Sequence, residues 1–600
     1  MSYQAPLKDM LFVLNELAAL STINQLPGCE DATADTVEAV LEENAKFCGN
    51  VVAPLNYPSD VKPSFWHDGQ VTTAAGFKGA FKSFAEAGWQ GVQHPVAFGG
   101  QGLPKLVATP CIEMLNAASI SFALVALLSD GAIEALITAG SDAQKAIYLE
   151  PLISGKWTGT MNLTEPQAGS DLAAVRTRAV PQDDGTYKVF GTKIYITYGE
   201  HDMADNIVHL VLARTPDAPA GVKGISLFVV PKFLVNADGS LGARNDAHCV
   251  SIEHKLGIKA SPTAVLQFGD HGGAIGTLVG EENRGLEYMF IMMNAARFGV
   301  GLQGIGLAER AYQQAVAFAK DRVQSRDVAG SSGPVTIIHH PDVRRMLMSM
   351  RAQTEAARAL AYVGAGLSDL AHHHADAETR AANLAVYEYL VPIIKGWSTE
   401  MAQDVTRDGV QVHGGMGFIE ETGAAQHYRD AKILTIYEGT TAIQANDLVG
   451  RKTVRDGGAV ARAILAQVRA TEAQLLEAGA LPGGAHFAAI GAQLAQGSAA
   501  LEAVVEFMVA NIKTDVTAVF AGSVPYLRLA GIVLGGWQMA RAALIAQSKL
   551  DAGEGDASFY QAKIGTARFF ADHQLSQAGS LRSAIVGGSA GVMALTEAQF

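Results

Sequence analysis

Six hundred residues, 49% hydrophobic and 17% charged, are too many for one hydrophobic core and too apolar for long disordered stretches, so several packed domains are expected. A net charge of −14 makes nucleic acid a poor partner, although a local basic pocket could still hold a small anionic ligand. Cys29, Cys48, Cys111 and Cys249 are scattered without C-x-x-C spacing, which argues against a disulfide scaffold or a zinc knuckle and fits a reducing, cytoplasmic setting.

The stretch from Met1 to Met10 is polar and contains a proline, unlike a signal peptide. Residues 1–159 read as a helical domain, with helical spacing over Met114 to Ile137 and glycine punctuation from Phe98 to Pro104. Residues 160–282 read as a compact β domain. The strands expected there are Tyr187 to Thr197, Asn206 to Ala213, Ile225 to Val230 and Ala264 to Phe268, with a turn at Asp184-Gly185. Helix returns near Gly285, where Leu286, Met289, Phe290 and Met293 share one face, and a helical bundle fills 283–452. A further helical domain over 453–600 carries the stripe Leu501, Val504, Val505 and Met508 after a loop at Gly479 to Gly484. The apolar run Ala530 to Ala546 is interrupted by Arg541 and is short for a membrane span, so none is expected. The fold class is thus α+β, mainly α.

Three segments carry possible chemistry. Thr164-Glu165-Pro166-Gln167-Ala168-Gly169-Ser170-Asp171 combines a helix stop, a flexible glycine and hydroxyls beside free N–H groups; it suits a planar heterocycle or a phosphate, and equally an ordinary turn. In Arg429-Asp430-Ala431-Lys432, followed by Ile436-Tyr437-Glu438-Gly439-Thr440-Thr441, a single glutamate lies between an apolar pair and a glycine. That flank can desolvate the carboxylate and raise its pKa; a solvated loop residue is the plainer alternative. Gln411-Val412-His413-Gly414-Gly415 reads as a helix C-cap, or as a close approach to a phosphate. Gly299-Val300-Gly301-Leu302-Gln303-Gly304 matches a dinucleotide fingerprint but follows a helical stripe, so close helix packing is the better reading. His372-His373-His374, with Asp376 one turn on, reads as an exposed polar face, and no metal site is expected.

Taken in this order, these loops resemble the acyl-CoA dehydrogenase family over roughly residues 40 to 450. The T-E-P-x-A-G-S-D and R-D-A-K-x-x-x-I-Y-E-G-T segments carry most of the match, with Phe98 to Pro104 and Lys193-Ile194-Tyr195-Ile196-Thr197 in support. The C-terminal extension and Tyr57-Pro58-Ser59-Asp60 resemble the long branch that includes the 3-methylmercaptopropionyl-CoA dehydrogenases.

The resemblance implies FAD as cofactor, an N-terminal helical domain, a β-barrel-like middle domain and a C-terminal bundle. It implies Glu438 as the base that takes the α-proton of an acyl-CoA while the β-hydrogen leaves as hydride to the flavin. Met161, Thr164, Gly169, Ser170, Tyr195, Thr197 and Thr440 are implied FAD contacts, as are Arg322, Gln411, Gly414 and Gly415 across a subunit boundary in a homo-oligomer, expected to be a dimer. Ser170, Asn294, Arg297, Tyr437 and Gly439 are the implied acyl-CoA contacts. Tyr195 stands where many members carry Trp, Met161 replaces an aromatic, and Asn294 stands where Asp is frequent. The expected substrate is a short or medium acyl-CoA, with 3-methylmercaptopropionyl-CoA the leading candidate, and the expected electron acceptor is an electron-transfer flavoprotein. The alternatives are an acyl-CoA oxidase using O2 and a DNA-associated dehydrogenase-like binding protein, for which the C-terminal region shows no basic module. Should Glu438 not be the base, Glu287 is the next candidate.

Overall fold

The computed structural model describes residues 3–600; Met1 and Ser2, at the head of the polar N-terminal stretch, lie outside the described residues. Short helix α1 (Leu7–Phe12) precedes the N-terminal helical domain, whose long helices are α2 (Lys105–Ala118) and α3 (Ile120–Ala139). The continuous helix expected over Met114 to Ile137 is in fact broken at Ser119. That residue is extended, and its side chain accepts from Phe122 N–H, so a serine N-cap restarts the helix. A small hairpin, Phe65–His67 with Gln70–Thr72, also interrupts this domain.

The middle domain holds β1 (Trp157–Asn162), β2 (Arg178–Pro181), β3 (Tyr187–Thr197), β4 (Asn206–Ala213), β5 (Ser226–Pro231), β6 (Ala247–Ile252), β7 (Thr263–Phe268) and β8 (Ala274–Val279). The sheet order is β6-β7-β3-β8-β5-β4-β1, with β2 beside β3. Only the β1–β4 pair among these is parallel. The sheet encloses a core of its own, including Val189, Val211, Phe228, Leu266 and Phe268. The expected strands over Tyr187 to Thr197 and Asn206 to Ala213 match β3 and β4, while β1 begins before the expected domain start. β1 is buried along its whole length and so lacks the alternation that reveals a half-exposed strand.

The bundle that follows is built from α4 (Gly285–Asp321), α5 (Pro341–His373), α6 (Ala377–Val412), α7 (Ala424–Leu434) and α8 (Thr441–Asp447). The apolar stripe of α4 is rotated slightly from the expected one: Tyr288, Met289, Met292 and Ala296 are buried, whereas Leu286, Phe290 and Met293 are only partly covered. Its glycines serve packing. A Cβ on Gly301 would lie 2.8 Å from the Ile394 carbonyl oxygen, and one on Gly304 2.6 Å from that of Ser398, so α4 and α6 touch backbone to backbone.

The extension contains α9 (Ala459–Gly479), α10 (Ala485–Asn511), α11 (Ser523–Asp551) and α12 (Ala557–His573). The stripe Leu501, Val504, Val505 and Met508 is buried. α3 and α11 are long and apolar enough to cross a membrane, but both are mostly buried inside this fold. The extension is fastened to the bundle by α11, whose Gly531 and Gly535 leave room for Trp397 of α6. A buried ion cluster adds to this. Arg358, 1% exposed, donates to Glu113 (2.6 Å), Asp9 (2.8 Å) and Glu309 (2.8 Å), and Lys563 of α12 joins it through Asp9 and Glu355 (2.9 Å to the latter).

Candidate active site

Glu438 lies in the short connection between α7 and α8. Its backbone is left-handed (φ 53°), a sparsely allowed conformation for a residue with a Cβ, and Gly439 follows at φ 86°. The connection is held from several sides. Thr440 caps α8 by accepting from Ile443 N–H (3.2 Å), and Thr441 N–H reaches back to the Thr435 carbonyl (3.1 Å). Gln444 donates to the carbonyls of Glu438 (3.2 Å) and Gly439 (3.3 Å). The Tyr437 hydroxyl donates to Gln303 of α4. A Cβ at position 439 would lie 2.5 Å from the Gln444 amide nitrogen, so glycine is required there for space as well as for φ.

Within this frame neither the carboxylate nor the backbone N–H of Glu438 finds a hydrogen-bond partner among the described residues. Burial holds the carboxyl above its ordinary pKa, opposed by the positive charges of Arg297 and Lys395. Glu438 still keeps part of its surface accessible. A desolvated carboxylate with no donor of its own, beside an unpaired N–H, can accept a proton and donate a hydrogen bond to the same small molecule.

Arg297, an implied acyl-CoA contact, lies close to Glu438 and acts on its charge. It is 3% exposed, and its guanidinium pairs with Asp447 of α8 (3.4 Å), which in turn meets Arg451 (3.5 Å). Asn294 is exposed, with its side chain 3.5 Å from Arg297. Glu287 is also exposed and bound to Arg284 (2.7 Å), which pulls its carboxyl below the ordinary value; this is the opposite of what a reserve base needs.

The Thr164–Asp171 loop is organised by Glu165, which points inward. Its carboxylate accepts from Arg176 N–H (2.7 Å), Thr177 N–H (3.0 Å) and the Lys193 ammonium (2.8 Å). Burial opposes ionisation of Glu165, but Lys193 and the surrounding donors win and hold it at about 2. Burial likewise draws Lys193 down to about 8. Glu165 and Lys193 are therefore the fastening of the loop to β3, reinforced by Ile194 N–H donating to the Thr164 carbonyl (3.0 Å). With those side chains turned inward, Tyr195 faces out. It sits at a register shift between β3 and β7, with φ 60°, and is 60% exposed. The hydroxyls of Thr164, Thr197 and Ser170 have no protein partner among the described residues, and Gly169 has open space where a Cβ would be. Met161 is buried, near Gly131 and Met292.

Arg322 caps the end of α4 and lies over the Phe318 ring (5.2 Å), which packs against the His413 ring (4.5 Å) at the end of α6. The structure thus brings Arg322 beside the Gly414-Gly415 turn, although the two are far apart in sequence. Gln411, Gly414 and Gly415 are exposed; Gly414 has φ 59°, and no atom lies within 4 Å of a Cβ at either glycine. Phe418, just beyond, is 86% exposed.

Sequence reasoning missed Lys395, Gln303 and Gln444. Lys395 did leave a signal, a lone cation in the apolar run Val391 to Trp397. The Arg429-Asp430 pair turns out to be a domain clamp. Arg429 binds Asp60 (2.5 Å) of the N-terminal domain and Glu420 (2.7 Å). Asp430 accepts from Ile258 N–H (2.5 Å) of the middle domain, and its carboxyl is pushed up to about 7 by burial. His372 and His373 bond main-chain carbonyls, as expected of helix-end residues. A trio not singled out from the sequence, Asp246, His248 and His271, brings three possible ligand atoms within 4.8 Å at the edge of the sheet.

Family models match nearly the whole chain. The N-terminal domain of acyl-CoA dehydrogenases covers residues 35–156, the middle domain 160–271, the C-terminal domain 283–452, and an acetyl-CoA dehydrogenase C-terminal-like domain 464–596. The 3-methylmercaptopropionyl-CoA dehydrogenase of Ruegeria pomeroyi is 53% identical over 586 residues, spanning 98% of both chains. A butyryl-CoA dehydrogenase of Syntrophomonas wolfei is 36% identical over 95% of this chain and 94% of its own. The solved structure of an acyl-CoA dehydrogenase complexed with FAD from Bacillus anthracis shares the fold, with a TM-score of 0.73 at 22% identity, over 96% of this chain and 91% of that one. On the length and identity of these matches, the chain belongs to the acyl-CoA dehydrogenase family.

Proposed function

We propose that this chain is an FAD-dependent dehydrogenase of a short acyl-CoA, with Glu438 as the base that removes the α-proton. The observation that carries the reading is the state of Glu438: desolvated, free of hydrogen-bonded partners, and held at a left-handed φ by a connection pinned through Gln444, Thr440 and Tyr437.

The residues around Tyr195 fit the cofactor. An outward aromatic ring offers a wall for a planar heterocycle, and the free hydroxyls of Thr164 and Thr197 suit its polar edge. The open backbone at Gly169, Gly414 and Gly415, with Arg322 beside the last two, suits a diphosphate. Met161 lines the wall behind, and Thr440 stands next to the base. Bound FAD supplies the acceptor for the hydride that leaves the β-carbon.

The chain's own part is proton chemistry and placement. The thioester carbonyl accepts from the unpaired N–H of Glu438, which stabilises negative charge as it develops on oxygen. The same residue's carboxylate takes the α-proton, and desolvation raises its proton affinity above that of an ordinary carboxylate, as a base for this task needs. Gly439 lets the substrate approach the backbone, and Tyr437 fixes the loop to α4. The product is a 2,3-enoyl-CoA. Of the acyl groups, 3-methylmercaptopropionyl is favoured by the 53%-identical relative of that name, which matches end to end, extension included. Exposed Arg322, Gln411 and Phe418 favour a homodimer in which this face is covered, and an electron-transfer flavoprotein is the proposed acceptor, in the cytoplasm. Anaerobic bleaching of the purified yellow protein by a panel of acyl-CoA thioesters tests the reading. The 3-methylmercaptopropionyl and butyryl thioesters are expected to bleach fastest; a colourless protein that takes up no FAD would overturn it.

A further inference from the structure

Lys395 is fully buried in the middle of α6, on a helix otherwise lined there by Ile393, Ile394 and Trp397. A lysine is seldom buried without a specific reason, because its charge must be matched in place. The matching here is unusual. The ammonium donates to the Leu434 carbonyl (2.8 Å), the last of α7, and to the Gly439 carbonyl (2.7 Å). These two acceptors bracket the connection that carries Glu438. The first is the negative end of a helix, where a cation is favoured; the second belongs to the peptide next to the left-handed residue. No carboxylate bonds to the lysine, yet the charge of Glu438 acts on it directly.

We propose that Lys395 is a positioning residue for the base: its ammonium staples both ends of the Glu438 connection and places a positive charge beside the carboxylate. This rests on the proposed function. It assigns two tasks to one group. Held between Leu434 and Gly439, the connection keeps Glu438 in a backbone conformation that the chain would otherwise leave. A nearby buried cation also stabilises the carboxylate form and so limits how far desolvation raises the proton affinity of the base.

The charged groups around this pair come from every packed element. Arg297 of α4 acts on Glu438 in the same sense and is itself balanced by Asp447 of α8, which also meets Arg451. Glu400 of α6 acts on Lys395 and accepts the Thr441 hydroxyl (2.6 Å). Arg297 is held to its own carboxylate and acts on Glu438 more strongly than Lys395 does, whereas only Lys395 is bonded to the carbonyls that bracket the connection.

The test is Lys395→Met, which keeps length and burial while removing the donors and the charge, with Lys395→Gln as a second variant that keeps a donor. The holoenzyme's rate of anaerobic flavin bleaching is measured from pH 5.5 to 9. In the methionine variant the rate at pH 7 is expected to fall at least ~10-fold, and the acid limb to move up by about one pH unit, the scale of an opposite charge at close range. In a Glu438→Gln background the same change should add less than about 3-fold, because the two residues act as a unit. An unmoved acid limb, or full additivity with Glu438→Gln, would overturn the proposal while leaving Glu438 as base. Loss of fold and FAD in both Lys395 variants would also overturn it, by showing a purely structural role. Near-normal bleaching by Glu438→Gln alone would instead refute the underlying functional reading.

Discussion

Replacing Glu438 with Gln should separate catalysis from stability in opposite directions. Glutamine keeps the shape of the side chain, and none of the bonds that hold the connection uses the carboxylate: Gln444 and Lys395 bind main-chain carbonyls, and Thr440 caps α8. The left-handed backbone and the free N–H should therefore survive. What disappears is the proton acceptor, and general-base catalysis is typically worth ~10²–10⁴-fold, so flavin bleaching by substrate should slow by that factor. Stability should not fall. The folded carboxyl sits above its ordinary value of 4.5 because burial disfavours the charge. Between the unfolded and folded pKa values the native state thus holds more protons than the unfolded chain, and stability declines as pH rises through that window. The glutamine variant carries no such penalty, and its Tm at pH 7.5 should equal or exceed that of the parent, as is common where a site is strained for function. The assays are stopped-flow bleaching under anaerobic conditions and thermal unfolding with FAD content measured in parallel. A variant that bleaches within 10-fold of the parent, or that loses FAD and melts several degrees lower, would refute the assignment.

In the parent enzyme the bleaching rate should rise with pH, with a midpoint above the ordinary carboxylate value of 4.5, because Glu438 must be ionised to act; a midpoint at or below 4.5 would contradict its desolvation. Tyr195→Gly removes the aromatic wall at a φ that glycine tolerates (60°), so FAD should bind roughly 2- to 10-fold more weakly, read by fluorescence of released flavin, with no loss of secondary structure. Arg358→Met strands Glu113 and Glu309 in the interior, while Asp9 keeps Lys563, and should cost about 3–5 kcal/mol, seen as a lower denaturation midpoint. That deficit should shrink as pH falls toward 5, because burial already holds the Glu113 carboxyl above its ordinary value and it can take up a proton.

Local features of the sequence mark many of the elements, and the resemblance carried by its motifs points to Glu438. Period-2 and period-3.6 patterns mark β3 and α10, which have a wetter and a drier face, and a short apolar run marks β4, which is buried throughout; a glutamate between Ile436-Tyr437 and Gly439 fits a desolvated carboxyl and a solvated loop residue alike. Other features leave weaker marks, as for β1, buried along its whole length and starting before the expected domain boundary, or for the break at Ser119, which turns on a single cap. Roles that depend on distant partners could be settled only by the tertiary structure. Glu165 looks like part of a binding loop until Lys193 and Thr177 close on it, and Arg429 is only part of a motif until Asp60 arrives from 369 residues away. Arg297 is an implied acyl-CoA contact whose pairing with Asp447 appears only in the fold, and Lys395 gains its place only when two carbonyls of another segment accept hydrogen bonds from it. The physical reason is the same in each case: a charge or donor is assigned its task by whichever group lies within about 3 Å of it, and that neighbour is chosen by how helices and sheet pack, which no local run of residues records.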